Sequence, residues 1–403
     1  MNLPEDFIRE TRLVMGEERF NRFLGAFDEE APVSIRLNPL KISLTTHHLP
    51  PTTHRVPWCE EGFYLEGRPQ FTFDPLFHAG CYYVQEASSM FITHVVRSLA
   101  SSVTPFTSAL DMCAAPGGKS TALRTVLPKG CTLISNEPIP NRAQILLENI
   151  TKWGWPDCIV TSCYPREFHK AKARFDLILC DVPCSGEGMF RKDPATISEW
   201  SLHNVEKCWR LQREIVADAW ECLNPGGILI YSTCTFNIKE NEENVRWIME
   251  EYDAEVLEIP TEPEWNITGS LLEGFDAPVY RFIPGITRGE GLFLCAIRKK
   301  KDASGSVRKA LPIKSLTTDM PEGDYPQVDV PYTDALNYLR GEALVLPPDT
   351  PRGMVTIGYQ GFALGPAKNI GPRANNLYPK PWRIKTTHLP SEAPRVLLMK
   401  NEE

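Results

Sequence analysis

The middle of the chain alternates short apolar runs with longer stretches whose apolar residues recur at helical spacing. Ala109–Cys113, Thr132–Asn136, Cys158–Ser162 and Phe175–Asp181 read as strands. The last of these, FDLILCD, has the near-continuous apolar character of a strand covered on both faces. Ser120–Leu127, Asn141–Trp153 and Ser198–Leu223 read as the helices that connect and follow them. NPGG then reads as a helix stop and ILIYSTCTF as a fifth strand. Such strand–helix alternation predicts a doubly wound, Rossmann-like α/β domain, placed at residues 76–299. Residues 1–75 begin with a helical pattern over Asp6–Phe27, followed by SIRLNPLK and a turn-rich stretch, and predict a small α+β accessory domain. Residues 300–331 lack periodicity and are rich in Pro, Ser and Asp, as a linker would be. Residues 332–403 predict a small, separate, β-rich domain.

Composition narrows the class. The chain has 403 residues, 42% hydrophobic and 23% charged, which suits several globular domains and argues against wholesale disorder. No apolar run approaches the roughly 20 residues of a membrane span. The first residues carry acids and no continuous apolar stretch, so a cytoplasmic protein without membrane partners is expected. The 12 cysteines are scattered and include no CxxC pair, which argues against both a disulfide framework and a structural zinc site. The net charge of −8 seems unfavourable for a nucleic-acid partner, but its distribution reverses that reading. From Lys300 to Glu403 there are 14 Lys and Arg against 11 Asp and Glu, and Gly361–Lys385 holds five basic residues and no acid. Phosphate binding follows the local field rather than the total. Lys368, Arg373, Lys380, Arg383 and Lys385 are therefore candidate phosphate contacts, whereas Trp382 and Phe362 are expected in the core and Asn375 and Asn376 in a turn.

The first predicted strand runs into DMCAAPGGKS, where Gly117 and Gly118 permit a tight turn and close approach of a ligand to a helix N-terminus. Glu137 ends the next strand, where an acid can hydrogen-bond ribose hydroxyls. Neither GxGxxG nor GxxxxGK[ST] is present, so a ribose-containing cofactor without phosphates, S-adenosylmethionine, fits best. The fourth and fifth strands each lead into a cysteine: Cys184, after Asp181 in Cys-Asp-Val-Pro-Cys, and Cys234 in Ser-Thr-Cys-Thr. Carboxyl ends of strands are where ligands sit in such sheets. Cys131, Cys180, Cys222 and Cys295 read instead as inert buried thiols. Two thiols there suit methylation at carbon 5 of a cytosine. A thiolate adding at carbon 6 makes carbon 5 nucleophilic, an acid such as Asp181 balances charge at the ring, and a second thiol assists release. Position alone leaves open which thiol attacks.

DMCAAPGGKS, CDVPCSGEGMFRKDP and YSTCTFNIKENEENV together resemble the NOL/NOP/Sun family of RNA cytosine-5 methyltransferases. SIRLNPLK, YYVQEASSM and RFIPGITRGEGLFLCAIRK extend the resemblance over about Ser34 to Lys300. The tail GFALGPAKNIGPRANNLYPKPWRIK resembles the PUA-like RNA-binding extension of the bacterial branch that methylates small-subunit ribosomal RNA. The resemblance implies that Cys234 attacks, that Cys184 assists release, and that Lys119 and Asp181 line the reacting base. It also implies a cofactor pocket shaped by Cys113, Ala114, Ala115, Pro116, Gly117, Gly118, Lys119, Glu137, Arg142 and Asp181. Ribosomal RNA is the implied partner, not DNA, and a monomer is expected. One departure is visible: where the family carries an acid near the adenine, this chain has Val-Thr-Ser-Cys-Tyr-Pro, with Tyr164 at the acid's position. Tyr164 either meets the adenine or lies outside the site. The alternatives to this reading are a transfer-RNA cytosine-5 methyltransferase, a non-catalytic RNA-binding assembly factor on the same fold, and a methyltransferase for a small molecule or a protein.

Overall fold

In the strand Phe175–Asp181, successive side chains enter two different cores. Leu177 and Leu179 join Ala109, Phe91, Val95 and Leu123 on one face of the sheet. Ile178 and Cys180 join Leu110, Ile215, Val216 and Val245 on the other. This period-two alternation between apolar environments is what the continuous apolar run encodes. The structure, a computed structural model, describes residues 3–43, 47–100, 105–300, 313–386 and 388–399.

The central sheet has eight strands, labelled here β1 (Ser108–Asp111), β2 (Thr132–Asn136), β3 (Cys158–Thr161), β4 (Phe175–Asp181), β5 (Leu223–Thr233), β6 (Ala254–Leu257), β7 (Tyr280–Phe282) and β8 (Leu292–Lys299). Their order is β6-β8-β5-β4-β1-β2-β3, with β7 also pairing with β8. The five strands β3-β2-β1-β4-β5 are parallel, and β8 inserts antiparallel beside β5. Order reverses between β1 and β4, so their carboxyl ends open a crevice there.

Local chemistry modifies three expected elements. The N-terminal helix is two, Glu5–Met15 and Glu17–Gly25, because Gly16 between them adopts φ 72°. The long helix expected from Ser198 divides into Ala195–Glu199 and Leu202–Glu221, the second capped by Ser201, whose Oγ accepts the Asn204 N–H at 3.1 Å. NPGG does not lie outside the strand: β5 begins at Leu223 opposite Phe175, bulges through Asn224–Gly227 and re-registers with Ile228 opposite Leu177.

The N-terminal sheet pairs His54–Arg55, Gly62–Leu65, Val33–Leu37 and Tyr82–Val84, all antiparallel. Its last strand lies beyond residue 75, so the expected domain boundary cuts the sheet. The C-terminal unit holds the helix Tyr332–Arg340 and strands Gln327–Asp329, Gly353–Tyr359, Phe362–Asn369 and Ala374–Asn376. It is not separate. Leu336, Tyr338, Leu339 and Tyr378 share one apolar core with Ile35, Leu37, Phe71 and Tyr82 of the N-terminal sheet. Tyr332 also donates its hydroxyl to the Phe73 carbonyl at 2.9 Å. The stretch expected as a linker is anchored where it is described: the Leu316 N–H donates to the Val160 carbonyl at 2.8 Å on the edge strand β3. Residues 301–312 of that stretch lie outside the described residues.

A chain ending at Lys300 is therefore expected to expose the N-terminal half of a shared core. It should bind an apolar dye and aggregate with rising concentration. A truncated chain that matched the full chain in both assays would show that the two units have independent cores.

Candidate active site

β1 ends in Asp111, and the chain turns through Met112–Gly118 before the helix Gly118–Val126 begins. Gly117 takes φ 115°, a conformation that side chains resist. Three side chains fix the carbonyls of this turn. Arg142 donates to the Ala115 carbonyl at 3.1 Å, and Asn149 to that of Pro116 at 2.8 Å. Arg36, fully buried in the N-terminal sheet, reaches the Gly118 carbonyl at 3.4 Å and Thr121 Oγ1 at 2.6 Å. Glu137 lies just beyond β2, with Oε1 accepting the Ile139 N–H at 3.1 Å. Its Oε2 is buried, sits 3.4 Å from Arg142 Nη1, and has no hydrogen-bond partner. That open acceptor suits a ribose hydroxyl.

Beside this turn lies a cavity of about 470 Å³, within the range of small-molecule sites. Of the residues expected in a site, Cys234, Asp181, Lys119, Cys113, Ala114, Ala115, Pro116, Gly118 and Arg142 line it. Gly117, Glu137 and Cys184 are not among the residues that line it. Cys113 is held as a neutral thiol, its pKa pushed far up by burial.

The two cysteines meet because β4 and β5 are hydrogen-bonded neighbours, with Asp181 opposite Ser232. Cys184 Sγ and Cys234 Sγ are 3.3 Å apart. The Gly188 N–H donates to the Cys234 carbonyl at 2.7 Å, and a Cβ on Gly188 would lie 2.5 Å from that oxygen, so glycine is required there. The Cys184 thiol is pushed well above its usual pKa, first by its hydrogen bond with Cys234 and then by burial. It therefore keeps its proton. Lys119 Nζ contacts Asp181 Oδ2 at 2.9 Å, and Ser232 Oγ donates to Oδ1 at 2.7 Å. Burial opposes the Lys119 ammonium, but the Asp181 carboxylate outweighs it and leaves the lysine's pKa raised.

Two buried acids absent from the sequence reading hold the cysteine loops together. Glu187 Oε2 accepts the N–H groups of Phe236 and Asn237 at 2.6 and 3.1 Å, while Oε1 accepts from Trp200 Nε1 at 3.0 Å. Glu240 Oε2 accepts the Ser185 N–H at 3.0 Å and Gln212 Nε2 at 2.6 Å. Each loop thus supplies a carboxylate to the other's backbone. Burial, with Glu187 close by, lifts the Glu240 carboxyl to about 7. Three more acids line the cavity unannounced by sequence: Asp111, Glu86 and Glu290. The signal available for them was their position inside DMCAAPGGKS, YYVQEASSM and RFIPGITRGEGLFLCAIRK.

Tyr164 is 58% exposed, does not line the cavity and heads the short helix Pro165–Lys170. In the tail, Lys368, Arg373, Lys380 and Lys385 are exposed. Arg383 differs: it is half-buried and donates to the Tyr378 carbonyl at 3.2 Å, a structural role. Trp382 and Phe362 pack against the shared core. Asn375 and Asn376 lie in a strand rather than a turn, and Asn376 bonds the carbonyls of Tyr338 and Glu342 at 2.7 and 2.9 Å. Among the described residues no His, Cys, Asp and Glu cluster could hold a metal, and no helix is long and apolar enough to cross a membrane.

A Rossmann-like sheet with this crevice, turn and acid at the end of β2 defines a methyltransferase fold. Three family models match in order: the N-terminal domain of 16S rRNA methyltransferase RsmF over residues 3–87, 16S rRNA methyltransferase RsmB/F over 103–298, and the methyltransferase RsmF PUA domain over 325–384. The chain belongs to the RsmB/F methyltransferase family. It is 33% identical to ribosomal RNA small subunit methyltransferase F of Serratia proteamaculans, over 74% of this chain and 63% of that protein's length. A solved structure of a methyltransferase homolog protein from Pyrococcus horikoshii is 27% identical, with a TM-score of 0.59, and the match covers 74% of this chain and all of that one. The structure of NSun6 from Pyrococcus horikoshii with SFG shares the fold at 22% identity and a TM-score of 0.60, over 74% of this chain and 99% of that one.

Asp111 gives a pH test of the site's electrostatics. Its carboxyl is buried beneath the turn, Ser120 Oγ donates to Oδ2 at 2.6 Å, and Oδ1 has no partner. Burial raises its pKa to about 7. A carboxyl raised above its unfolded value favours the protonated native state, so its burden on stability is absent below the unfolded pKa near 4 and grows as pH rises toward 7. Asp111→Asn should therefore gain stability relative to the parent between pH 4 and 7, by an amount that thermal unfolding across that range measures. A gap that stayed constant with pH would mean that Asp111 titrates normally.

Proposed function

We propose that the chain is an S-adenosylmethionine-dependent RNA (cytosine-5) methyltransferase acting on small-subunit ribosomal RNA in the cytoplasm. The single observation that carries this reading is the pair of thiols 3.3 Å apart beside the Lys119–Asp181 pair, on a cavity walled by the glycine-rich turn. Adenosylmethionine supplies an activated methyl group. The turn Cys113–Lys119, the open Glu137 acceptor and Arg142 fit its binding.

The place of each thiol supports the role assigned to it. Cys234 lines the cavity, where its sulfur adds to carbon 6 of the cytosine. The electron density gained at carbon 5 takes up the methyl group. Lys119 and Asp181 lie against the ring and steady the charge that develops there. The carbon-5 proton then leaves to a base, its electron pair restores the ring double bond, and the bond from Cys234 Sγ to carbon 6 breaks. Cys184 lies 3.3 Å from Cys234 and its raised pKa favours the thiol form, so in this reading it donates a hydrogen bond to the departing thiolate and assists release. The exposed Lys368, Arg373, Lys380 and Lys385 supply phosphate contacts from the tail. In this reading the catalytic unit follows the N-terminal sheet, whose last strand is Tyr82–Val84, and ends near residue 299, with accessory units on either side.

The test is methyl transfer from labelled adenosylmethionine to unmethylated small-subunit RNA and to assembled subunits, with protein–RNA adducts resolved on a denaturing gel. Cys234→Ala should abolish methylation and form no adduct. Cys184→Ala should accumulate the adduct while turnover falls by roughly two orders of magnitude. An adduct from Cys234→Ala alone would exchange the two roles. A parent protein that bound RNA but neither methylated it nor formed an adduct would overturn the reading in favour of a binding protein.

A further inference from the structure

A site that takes a cytosine must also refuse a uracil, and the cavity carries a group placed to do so. Four carboxylates line it: Glu86, Asp111, Asp181 and Glu290. Asp181 has both oxygens engaged, by Lys119 and Ser232. Glu86 has both engaged as well, Oε1 by the N–H groups of Ser88 and Glu290 and Oε2 by Ser89. Open acceptors remain on Asp111 and Glu290 alone among these four. Asp111 lies at the root of the glycine-rich turn, on the side assigned to the cofactor. Glu290 lies on the thiol side: a Cβ on Gly188 would sit 2.5 Å from the Cys234 carbonyl oxygen and 3.1 Å from that of Glu290.

The Glu290 carboxylate is also held in place before any ligand arrives. Its backbone N–H is bound to Glu86 at 2.9 Å, and Arg191 Nη1 holds Oε1 at 2.9 Å. The residue is 2% exposed, yet Oε2 has no partner. Glu290 is one of the residues that line the cavity, and a buried acceptor left open is costly unless a ligand donates to it. Cytosine presents an amino donor at position 4, whereas uracil presents a carbonyl oxygen whose lone pairs would oppose those of the carboxylate.

We propose that Glu290 Oε2 accepts the hydrogen bond of the target cytosine's 4-amino group and so selects cytosine over uracil. This inference rests on the function proposed above and names a specificity residue within it.

The experiment uses the full chain and a transcript spanning the methylated nucleotide, made with cytosine, uracil or pyrimidin-2-one at that position. Pyrimidin-2-one lacks the group at position 4 but still offers carbon 6 to the thiol. The readouts are kcat/KM for methylation of cytosine and uracil and the rate of adduct formation with pyrimidin-2-one. Glu290→Gln preserves shape and the contact with Arg191 but offers an amide to the base. It should lose about tenfold to a hundredfold on cytosine, narrow the gap between cytosine and uracil, and leave adduct formation with pyrimidin-2-one within about twofold of the parent. Equal losses on cytosine and pyrimidin-2-one would overturn the proposal, because Glu290 would then merely brace the Arg191 loop. Unchanged activity on cytosine would overturn it too. Should Glu290→Gln not fold, Glu290→Asp, which keeps the charge but withdraws it by one methylene, must show the same cytosine-selective loss. Failure of the parent to methylate cytosine would count against the proposed function itself, a result distinct from either outcome for Glu290.

Discussion

The thiol pair depends on two buried carboxylates that cross-link two loops, alongside the direct bond from the Gly188 N–H to the Cys234 carbonyl. Cys184 and Cys234 are separated by 50 residues, and strand pairing aligns β4 and β5 only as far as Asp181 and Ser232. Beyond those residues each loop carries backbone N–H groups that the sheet does not satisfy. Glu187 takes two from the Cys234 loop, and Glu240 takes one from the Cys184 loop. Burying two acids so close together is costly, and the rise of Glu240 to about 7 registers that cost. Their hydrogen bonds offset it, since a buried carboxylate with several N–H donors is far better placed than one with none. The arrangement is reciprocal, so displacement of either loop leaves unsatisfied groups on both.

The same logic extends to the rest of the cavity. Arg281 of β7 pairs with Glu242 and donates to the Phe236 carbonyl at 2.7 Å, so the edge of the sheet grips the Cys234 loop from the far side. Glu86 ties the loop before β8 to the chain that leads out of the N-terminal sheet. Apart from the Arg281–Glu242 ion pair, each of these is a contact between distant segments in which one partner is a backbone group. Two residues of the cavity wall, Asp111 and Glu290, nevertheless keep an acceptor without a partner.

Periodicity made the parallel half of the sheet legible, because β1 to β4 are short, apolar and punctuated by glycine, proline and capping residues. The antiparallel additions β6 and β7 carry little periodic signal, since they are brief and each pairs only with β8. Residues carried by compact motifs, such as Cys184, Cys234 and Asp181 at strand ends and Lys119 at a helix start, could be placed from sequence. Glu187, Glu240 and Glu290 could not. An acid in a polar stretch looks like a solvated charge until the fold removes the water, and nothing local in SGEGMF or TRGEG shows that its partner lies about 50 or 100 residues away. The shared core of the N- and C-terminal units was hidden for a related reason: apolar patterning shows that a face is buried but not what buries it.

That shared core changes how the ends of the chain bear on the site. Arg36 is a fully buried guanidinium whose hydrogen-bond partners are oxygens of neutral groups, with the Trp153 ring 4.6 Å from its carbon centre. Burial lowers its pKa to about 10, which still leaves it charged at neutral pH. A buried cation of this kind tolerates little displacement, because each lost acceptor exposes charge that water cannot reach. It is anchored on the strand Val33–Leu37, whose neighbours Ile35 and Leu37 belong to the core completed by Tyr338, Leu339 and Tyr378. The brace on the Gly118 turn is therefore only as firm as the packing supplied by the C-terminal unit. A tail that closes this core is a structural part of the glycine-rich turn's support.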